Sequence, residues 1–251
     1  MNETTKDRTI IAGLLLLGLV PALGGSARLA QLASGAAITP ESARFFAAPL
    51  PVLLHIPAAI LYSLLGAWQF APGFRRRHRR LHGVAGWLLL PTALVVALSG
   101  LWMTLSYPWP AGDGVIVYLE RLVAGGAMLA AIAIGVDAIR RRDFRAHGEW
   151  MIRAYALGLG AGTQVLTHLP WFLLVDGAPG ELPRGVMMGA GWLVNAVFAE
   201  WVIRRGRARQ AVARATTFRT NGATMATVGN ATGHVVRQLR SQADGNAVLH
   251  P

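Results

Sequence analysis

The sequence predicts an all-α membrane protein, a polytopic bundle of six transmembrane helices with both termini in the cytoplasm. Of its 251 residues, 53% are hydrophobic and only 14% are charged, whereas soluble domains carry roughly 25% charged residues. The charges form short runs between long uncharged stretches, and a helix needs about 20 apolar residues to cross the hydrocarbon layer. We therefore expect most of the chain to lie in the lipid bilayer.

Six stretches have the length and apolar character of a membrane span. They lie near residues 9–27, 49–70, 83–106, 115–139, 151–174 and 184–203. The first follows Lys6 and Arg8, so a cleaved signal peptide is the alternative interpretation. Its uncharged run continues to Arg28, which is long for the apolar region of a signal peptide and favours a retained helix.

The basic residues predict the orientation of the bundle. Most of them fall on one side of a six-span arrangement, the side of Lys6, Arg8 and the clusters within 75–80, 140–145 and 204–209. The opposite loops carry few, namely Arg28, Arg44 and Arg184. Because cytoplasmic loops carry an excess of Lys and Arg, both termini are predicted to be cytoplasmic. Residues 1–209 then form the membrane domain, and the polar tail, 210–251, is predicted to be disordered.

Composition excludes several classes of function. The net charge of +12 does not predict nucleic-acid binding, because the arginines flank apolar spans and no basic fold surrounds them. The chain has no cysteine, which excludes disulfides, thiolate nucleophiles and cysteine-ligated metals. The best remaining clues are polar residues inside the spans, since ionisable groups are costly in a bilayer and usually face the bundle interior.

Two histidines lie at one predicted depth near the outer face. His55 and His168 each stand about six residues from the outer end of their span, or roughly 9 Å deep at 1.5 Å per residue. Histidines facing each other from two helices can ligate a haem iron, so this pair predicts a haem b site. A shared metal ion and a purely structural role for each imidazole are the alternatives.

Further polar residues support or extend this site. Tyr62 and Gln69 follow His55 at seven-residue steps and share its helical face, where they could line a ligand site or a proton path, or hold helices together. Glu120 enters its span at a similar depth, beside Arg121, with which it could pair. His55, His168 and Glu120 together would suit zinc or non-haem iron, which is the metal-site alternative.

A second, weaker pair is predicted on the inner side. His82 opens the third span and His147 precedes the fifth, both among arginines. Arg153 stands at the start of the fifth span, and with Arg79 and Arg80 it could instead bind an anionic lipid headgroup or the polar end of a quinone.

Several segments resemble a known family. They are HIPAA from His55, GAWQF from Gly66, FRRRHRRLH from Phe74 and RRRDFRAHGEWMIRAYAL from Arg140. Over about residues 50–170 the chain resembles the uncharacterised bacterial membrane proteins with domain of unknown function 2306. The positions that match the family pattern are His55, Gln69, Arg75, His82, His147, Trp150, Arg153 and Tyr155. The resemblance implies a multi-pass protein of the bacterial inner (plasma) membrane and no particular activity, and Gly83 stands near a position where members commonly carry an arginine.

Three functions are consistent with these residues. The leading hypothesis is a small redox protein that binds haem b through His55 and His168 and passes electrons between a quinone or periplasmic donor and a partner. The second is a non-enzymatic subunit or scaffold that packs against other membrane proteins through small-residue helix faces. The third is a metal-dependent membrane enzyme using His55, His168 and Glu120.

Overall fold

The computed structural model describes the backbone of residues 2–246 and the side chains of residues 2, 4–213, 215 and 216. The chain divides into two units, one ending at Trp201 and one beginning at Val202. Every contact discussed below lies within the first unit. The described residues form only helices and connecting turns, without strands, so the predicted all-α fold is confirmed.

The helices have the following bounds: α1 Glu3–Ala33, α2 Ala43–Ala47, α3 Pro49–Gln69, α4 Pro72–Arg77, α5 Arg79–Ser106, α6 Val115–Arg140, α7 Phe144–Gly158, α8 Gly160–Leu174 and α9 Glu181–Asn246. Five of them, α1, α3, α5, α6 and α9, are long and apolar enough among the described residues to cross a membrane. We call the end of the bundle that carries α4 and the turn at 141–143 the basic end. The end that carries α2 and the loop at 107–114 is the α2 end.

The predicted fifth span is not one continuous helix. Helices α7 and α8 have 15 residues each and meet at Leu159, whose backbone leaves the α-helical geometry at φ −82° and ψ 3°. Three glycines surround this break, Gly158, Gly160 and Gly162, and glycine destabilises a helix interior by about 1 kcal/mol relative to alanine. Length and composition alone therefore identify five spans here, not the six that were predicted.

Helix ends also differ from the apolar boundaries in the sequence. Helix α1 begins at Glu3, well before the predicted 9–27, because the side chain of Asn2 caps it by accepting the N–H of Thr5 at 2.9 Å. Helix α5 begins at Arg79, so His82 lies within its first turn. Helical geometry thus continues into charged segments, which hydropathy does not detect.

The spans of the first unit pack in a ring. Helix α1 packs on α3, α3 on α5, α5 on α6, α6 on α7, and α8 returns to α1. The centre towards the basic end is aromatic, because the ring of Tyr155 stacks on Phe70 at 4.4 Å between centroids and meets Tyr62 edge-on at 5.4 Å. Gly66 leaves the space that the Tyr155 ring fills, and Gly158 leaves that of Tyr62.

Helix α1 is joined to the bundle at two levels. At the basic end, Asp7 is buried and accepts the backbone N–H of Gly73 at 3.0 Å and a guanidinium N–H of Arg77 at 3.1 Å. In mid-helix, Gly162 lies so close to the backbone oxygen of Leu17 that a Cβ there would overlap it. These contacts make α1 an integral part of the helix ring.

The outer surface of the ring is apolar. Trp87, Val123 and Leu174 are each at least 70% exposed, an exposure that soluble proteins avoid over large areas and that a lipid environment makes favourable. Contact with a lipid bilayer follows from this surface together with the length of the helices.

The predicted disordered tail, 210–251, stays a prediction. Helix α9 runs to Asn246, no side chain beyond Thr216 is described, and residues 247–251 lie outside the described part of the chain.

Candidate functional site

A cavity of about 450 Å³ lies between the helices on the side of the α2 end. It extends from Arg44 and the loop at 107–110 to Ser63 and Leu157. Helices α1, α2, α3, α5, α6, α7, α8 and α9 all contribute to its wall. Ligand sites in proteins are mostly clefts of about 300–1,000 Å³ with apolar walls and few polar groups, and this cavity has that character.

Small residues create the space. The wall includes Gly18, Ala22, Ala59, Ala97 and Gly100, so the three helices α1, α3 and α5 present little side-chain volume towards the centre. A Cβ added at Gly100 would make only an ordinary contact, at 3.5 Å from Cε1 of His55. Gly100 therefore has room for a Cβ, whereas Gly66 and Gly158 lie against the rings of Tyr155 and Tyr62.

His55 is the histidine that borders the cavity. Its Nδ1 lies 3.0 Å from the hydroxyl of Ser99, and that hydroxyl donates to the carbonyl of Val95 at 2.5 Å. Because the serine proton is engaged with Val95, the serine oxygen accepts from Nδ1–H, and Nε2 of His55 is left as a hydrogen-bond acceptor. We assign this tautomer from the hydrogen-bond network.

The mouth of the cavity is positively charged. Asp113, with a side chain only 2% exposed, accepts from Arg121 at 2.5 Å and from Arg184. Arg121 and Arg44 both border the cavity. Arg121 therefore pairs with Asp113 and not with Glu120, its neighbour in sequence.

Arg44 is held against an aromatic ring. Its guanidinium carbon and that of Arg28 each lie 4.6 Å from the centroid of Phe45. Burial lowers the pKa of Arg44, as do the charges of Arg121, Arg28 and Arg184, while Asp113 raises it. Arginine nevertheless keeps its proton in proteins, so the mouth retains this charge.

Aromatic side chains frame the same mouth. Tyr107 meets Phe45 edge-on at 5.6 Å and donates its hydroxyl to the carbonyl of Ala48 at 2.6 Å. Trp109 packs on Tyr118 at 5.3 Å between ring centroids. Burial raises the pKa of the Tyr107 hydroxyl, while the backbone of Val52 and the charge of Arg44 act the other way, and the phenol stays a neutral donor at physiological pH.

The other members of the predicted outer site lie elsewhere. His168 is not in the wall of this cavity, since its Nδ1 bonds to the carbonyl of Gln164 in its own helix at 2.7 Å and its ring stacks on Phe172. Glu120 faces Gly189 of α9, and its Oε2 is buried without a hydrogen-bond partner in the described part of the chain. Within that part, no three His, Cys, Asp or Glu residues are close enough to hold a metal ion, so the set with His55 is not assembled.

The inner pair is partly brought together. His147 hydrogen-bonds through Nδ1 to the carbonyl of Gly135 at 2.9 Å, and His82 lies near enough for their charges to interact. Nδ1 of His82 is buried without a partner among the described residues. Arg153 is paired with Glu200 at 2.5 Å and lies over Trp150, so its charge is already compensated. Tyr62 and Gln69 are buried, with Tyr62 in the aromatic core.

Sequence reasoning missed Arg44, Arg121 and Ser99 as site residues. The sequence contained one feature that could have identified Arg44, because this arginine lies on the side of the bundle where the positive-inside rule expects few basic residues. An arginine that departs from that rule needs another explanation, and the cavity supplies one. Ser99 gave no such signal, since its role depends on the packing of α5 against α3.

One family model, described as a predicted membrane protein (DUF2306), matches residues 52–203, which is more than half of the chain. The match includes the wall contributed by α3, α5, α6, α7, α8 and α9, and leaves out α1 and α2. No curated protein and no solved structure matches the chain.

Proposed function

The chain belongs to the DUF2306 family of predicted membrane proteins, and we propose that it is a six-span protein of the bacterial inner membrane that binds a membrane-soluble small molecule. The proposed site is the cavity at the α2 end, beneath the outer surface, with both termini on the cytoplasmic side. The observation that carries this proposal is the cavity itself, an apolar space with one histidine in its wall and two arginines at its mouth.

The sixth span is supplied by α7 and α8 together. At about 1.5 Å per residue, each is roughly 22 Å long and too short to cross alone. His147 at the start of α7 bonds to α6 near the basic end, whereas Arg184 at the start of α9 bonds to Asp113 at the α2 end. The chain between these two contacts runs from one end of the bundle to the other, which requires a broken helix to cross.

Cysteine labelling tests this topology cleanly, because the chain has no native cysteine. Thr4→Cys, Ala111→Cys, Ala178→Cys and Ala208→Cys are all at exposed positions. In intact spheroplasts we expect an impermeant maleimide to label the cysteines at 111 and 178 only, with those at 4 and 208 reacting after permeabilisation. Labelling of 4 or 208 from outside would overturn the assigned orientation.

Ligand binding is tested by filling the cavity. Gly100→Leu places a side chain in the cavity wall, and Gly126→Leu is the matched control, because a Cβ at Gly126 meets nothing within 4 Å. We expect oleyl alcohol, a neutral single-chain probe, to raise the melting temperature of the wild type and of G126L in neutral detergent. G100L should lose that response while remaining folded. Absence of any shift with single-chain amphiphiles, charged or neutral, would overturn the proposal.

The haem b hypothesis is favoured by one observation and opposed by another. The Nδ1 atoms of His55 and His168 are both hydrogen-bonded, which is how proteins orient Nε2 towards iron. Only His55 borders the cavity, however, so the two side chains do not fit a common macrocycle in this arrangement. A reduced-minus-oxidised spectrum after haem-replete expression decides the matter: an α band that disappears in H55A and in H168A supports haem and electron transfer to a quinone or partner, and a colourless protein contradicts both.

A further inference from the structure

We propose that the cavity selects an amphiphile with an anionic head and a single apolar chain, and that Arg44 receives the head. This inference rests on the proposed function, because it assigns the chemistry of the molecule that the cavity binds. It names a class of ligand and a residue that determines its specificity.

The first step is the imbalance of charge at the mouth. Four guanidinium groups, those of Arg28, Arg44, Arg121 and Arg184, stand around the single buried carboxylate of Asp113. The other acidic residues of these loops, Glu41, Asp176 and Glu181, form no ion pair in the described part of the chain, and they do not border the cavity, whereas Arg44 and Arg121 do. A positive surplus at the entrance of a low-dielectric cavity attracts an anion more strongly than it would in water.

The second step separates Arg44 from the other three arginines. Arg121 and Arg184 bind Asp113, and Arg28 donates to the side-chain oxygen of Gln31. The side chain of Arg44 contacts the face of Phe45 but makes no hydrogen bond or ion pair with any described residue. Its five N–H donors therefore lack acceptors at a half-buried position that borders the cavity.

The third step concerns which head group fits. The planar guanidinium presents two parallel N–H groups, which match the paired oxygens of a carboxylate or a phosphate. Stacking on Phe45 restricts the orientation of this fork, so less freedom is lost when an anion binds. A neutral hydroxyl head offers one oxygen without charge and gains less from the same site.

The fourth step concerns the tail. From His55 to Ser63 the cavity follows α3 for eight residues, or about 12 Å. Its wall there is formed by Ala59, Ile60, Val96 and Ala97, apart from His55 and Ser63 at its two limits. The space is long, apolar and confined between neighbouring helices, which suits one extended chain with its head at Arg44.

The test compares three probes that share an oleyl or oleoyl chain. Oleate carries a carboxylate, oleoyl lysophosphatidic acid carries a phosphate, and oleyl alcohol is uncharged. Affinity is measured by thermal shift and calorimetry on the full chain in a neutral detergent. We expect the wild type to bind at least one of the anionic probes about tenfold more tightly than the alcohol, since hydrogen bonds to charged groups contribute more than neutral ones. The anionic probe with the higher affinity shows whether the natural head group is a carboxylate or a phosphate.

The matched variants are Arg44→Gln and Arg28→Gln. Each substitution removes one of the two guanidinium groups that lie 4.6 Å from the centroid of Phe45, so both change net charge equally. R44Q should lose the preference for anions and keep its affinity for the alcohol, while R28Q keeps the preference. Arg44→Lys retains charge without the fork and should show a reduced preference, which keeps the inference testable if R44Q fails to fold.

The outcomes separate this inference from the proposed function. Equal binding of all three probes by the wild type overturns the anionic head but leaves a ligand-binding cavity. Equal loss in R44Q and R28Q overturns the assignment to Arg44. No binding of any probe overturns the proposed function itself.

Discussion

The two ends of the helix ring use similar residues for opposite purposes. Towards the basic end, glycines admit the side chains of neighbouring helices, and the Tyr155 ring fills the space beside Gly66. Towards the α2 end, glycines such as Gly100 border a cavity of about 450 Å³. A small residue on a transmembrane helix therefore indicates close packing only when a large side chain faces it from the next helix.

Ion pairing shows the same contrast. At the basic end, Asp7 is matched by one arginine and one backbone N–H. At the α2 end, Asp113 is shared by two arginines, and Arg44 is left over. The buried carboxylate of the packed end is paired and its space is filled by side chains, whereas the α2 end has a cavity and an arginine without an ion-pair partner at its border.

The largest expected change in the free energy of unfolding comes from comparing substitutions at Gly66 and Gly100. Gly66→Ala forces a Cβ into the Tyr155 ring, which Phe70 and Tyr62 hold on either side. Overpacking of this kind should lower the free energy of unfolding by about 1–3 kcal/mol. Gly100→Ala should change it by less than about 0.5 kcal/mol, because its Cβ meets only His55 at ordinary distance. Denaturant titration in mixed micelles measures both, and equal effects would remove the contrast between the ends.

The next largest change in stability is expected from replacing the buried Asp7, with the exposed Asp137 as its control. Asp7→Ala should cost about 1.5 kcal/mol, near the lower limit for hydrogen bonds to charged groups, because Arg77 is half exposed. Asp137→Ala breaks an exposed pair with Arg141 at 2.9 Å and should cost less than about 0.5 kcal/mol. The same titration decides this, and a negligible effect of D7A would mean that α1 is not anchored at the basic end.

Two tyrosines donate to backbone carbonyls at the same distance. Tyr155 bonds to Ser63 and Tyr107 to Ala48, both at 2.6 Å. Tyr155→Phe should cost about 1 kcal/mol, the usual net value for a hydrogen bond, because Tyr155 is buried. Tyr107→Phe should cost less, since water can replace the contact at a half-exposed site. Thermal unfolding of the two variants gives the order, and a reversed order would show that the α2 end is the more rigidly held.

The smallest expected effect concerns Glu120. Glu120→Gln should leave stability unchanged within about 0.5 kcal/mol or raise it slightly, because a buried carboxylate oxygen without a partner is costly. Asp113→Asn is the control, and its loss of charge opposite Arg121 and Arg184 should be clearly destabilising. If E120Q lowers the melting temperature as far as D113N does, Glu120 has a favourable partner that this arrangement lacks.

Much of the architecture followed from hydropathy. The positions of five long spans agree with the helices because uncharged stretches of this length are stable only in lipid. The fifth predicted span was found as α7 and α8, since glycines around Leu159 interrupt the helix without changing its hydropathy. A total of six membrane spans therefore requires that α7 and α8 cross the membrane together as one span.

The candidate site was predictable only in part. Depth along a helix drew attention to His55, which borders the cavity, but depth does not specify the direction in which a side chain points. His168 stands at a similar predicted depth, yet it bonds within its own helix and lies outside the cavity wall. The pairing of the two histidines assumed that both helices are rotated about their axes so that the imidazoles face each other. That rotation is set by how the helices pack against their neighbours.

By itself the sequence determined the all-helical membrane fold and the family, because long apolar stretches and local motifs do not depend on distant contacts. Only the tertiary structure decided where the bundle leaves space and which charge lacks a partner. Those properties depend on side chains from several helices meeting at one point, as Arg121 and Arg184 do at Asp113 while Arg44 does not.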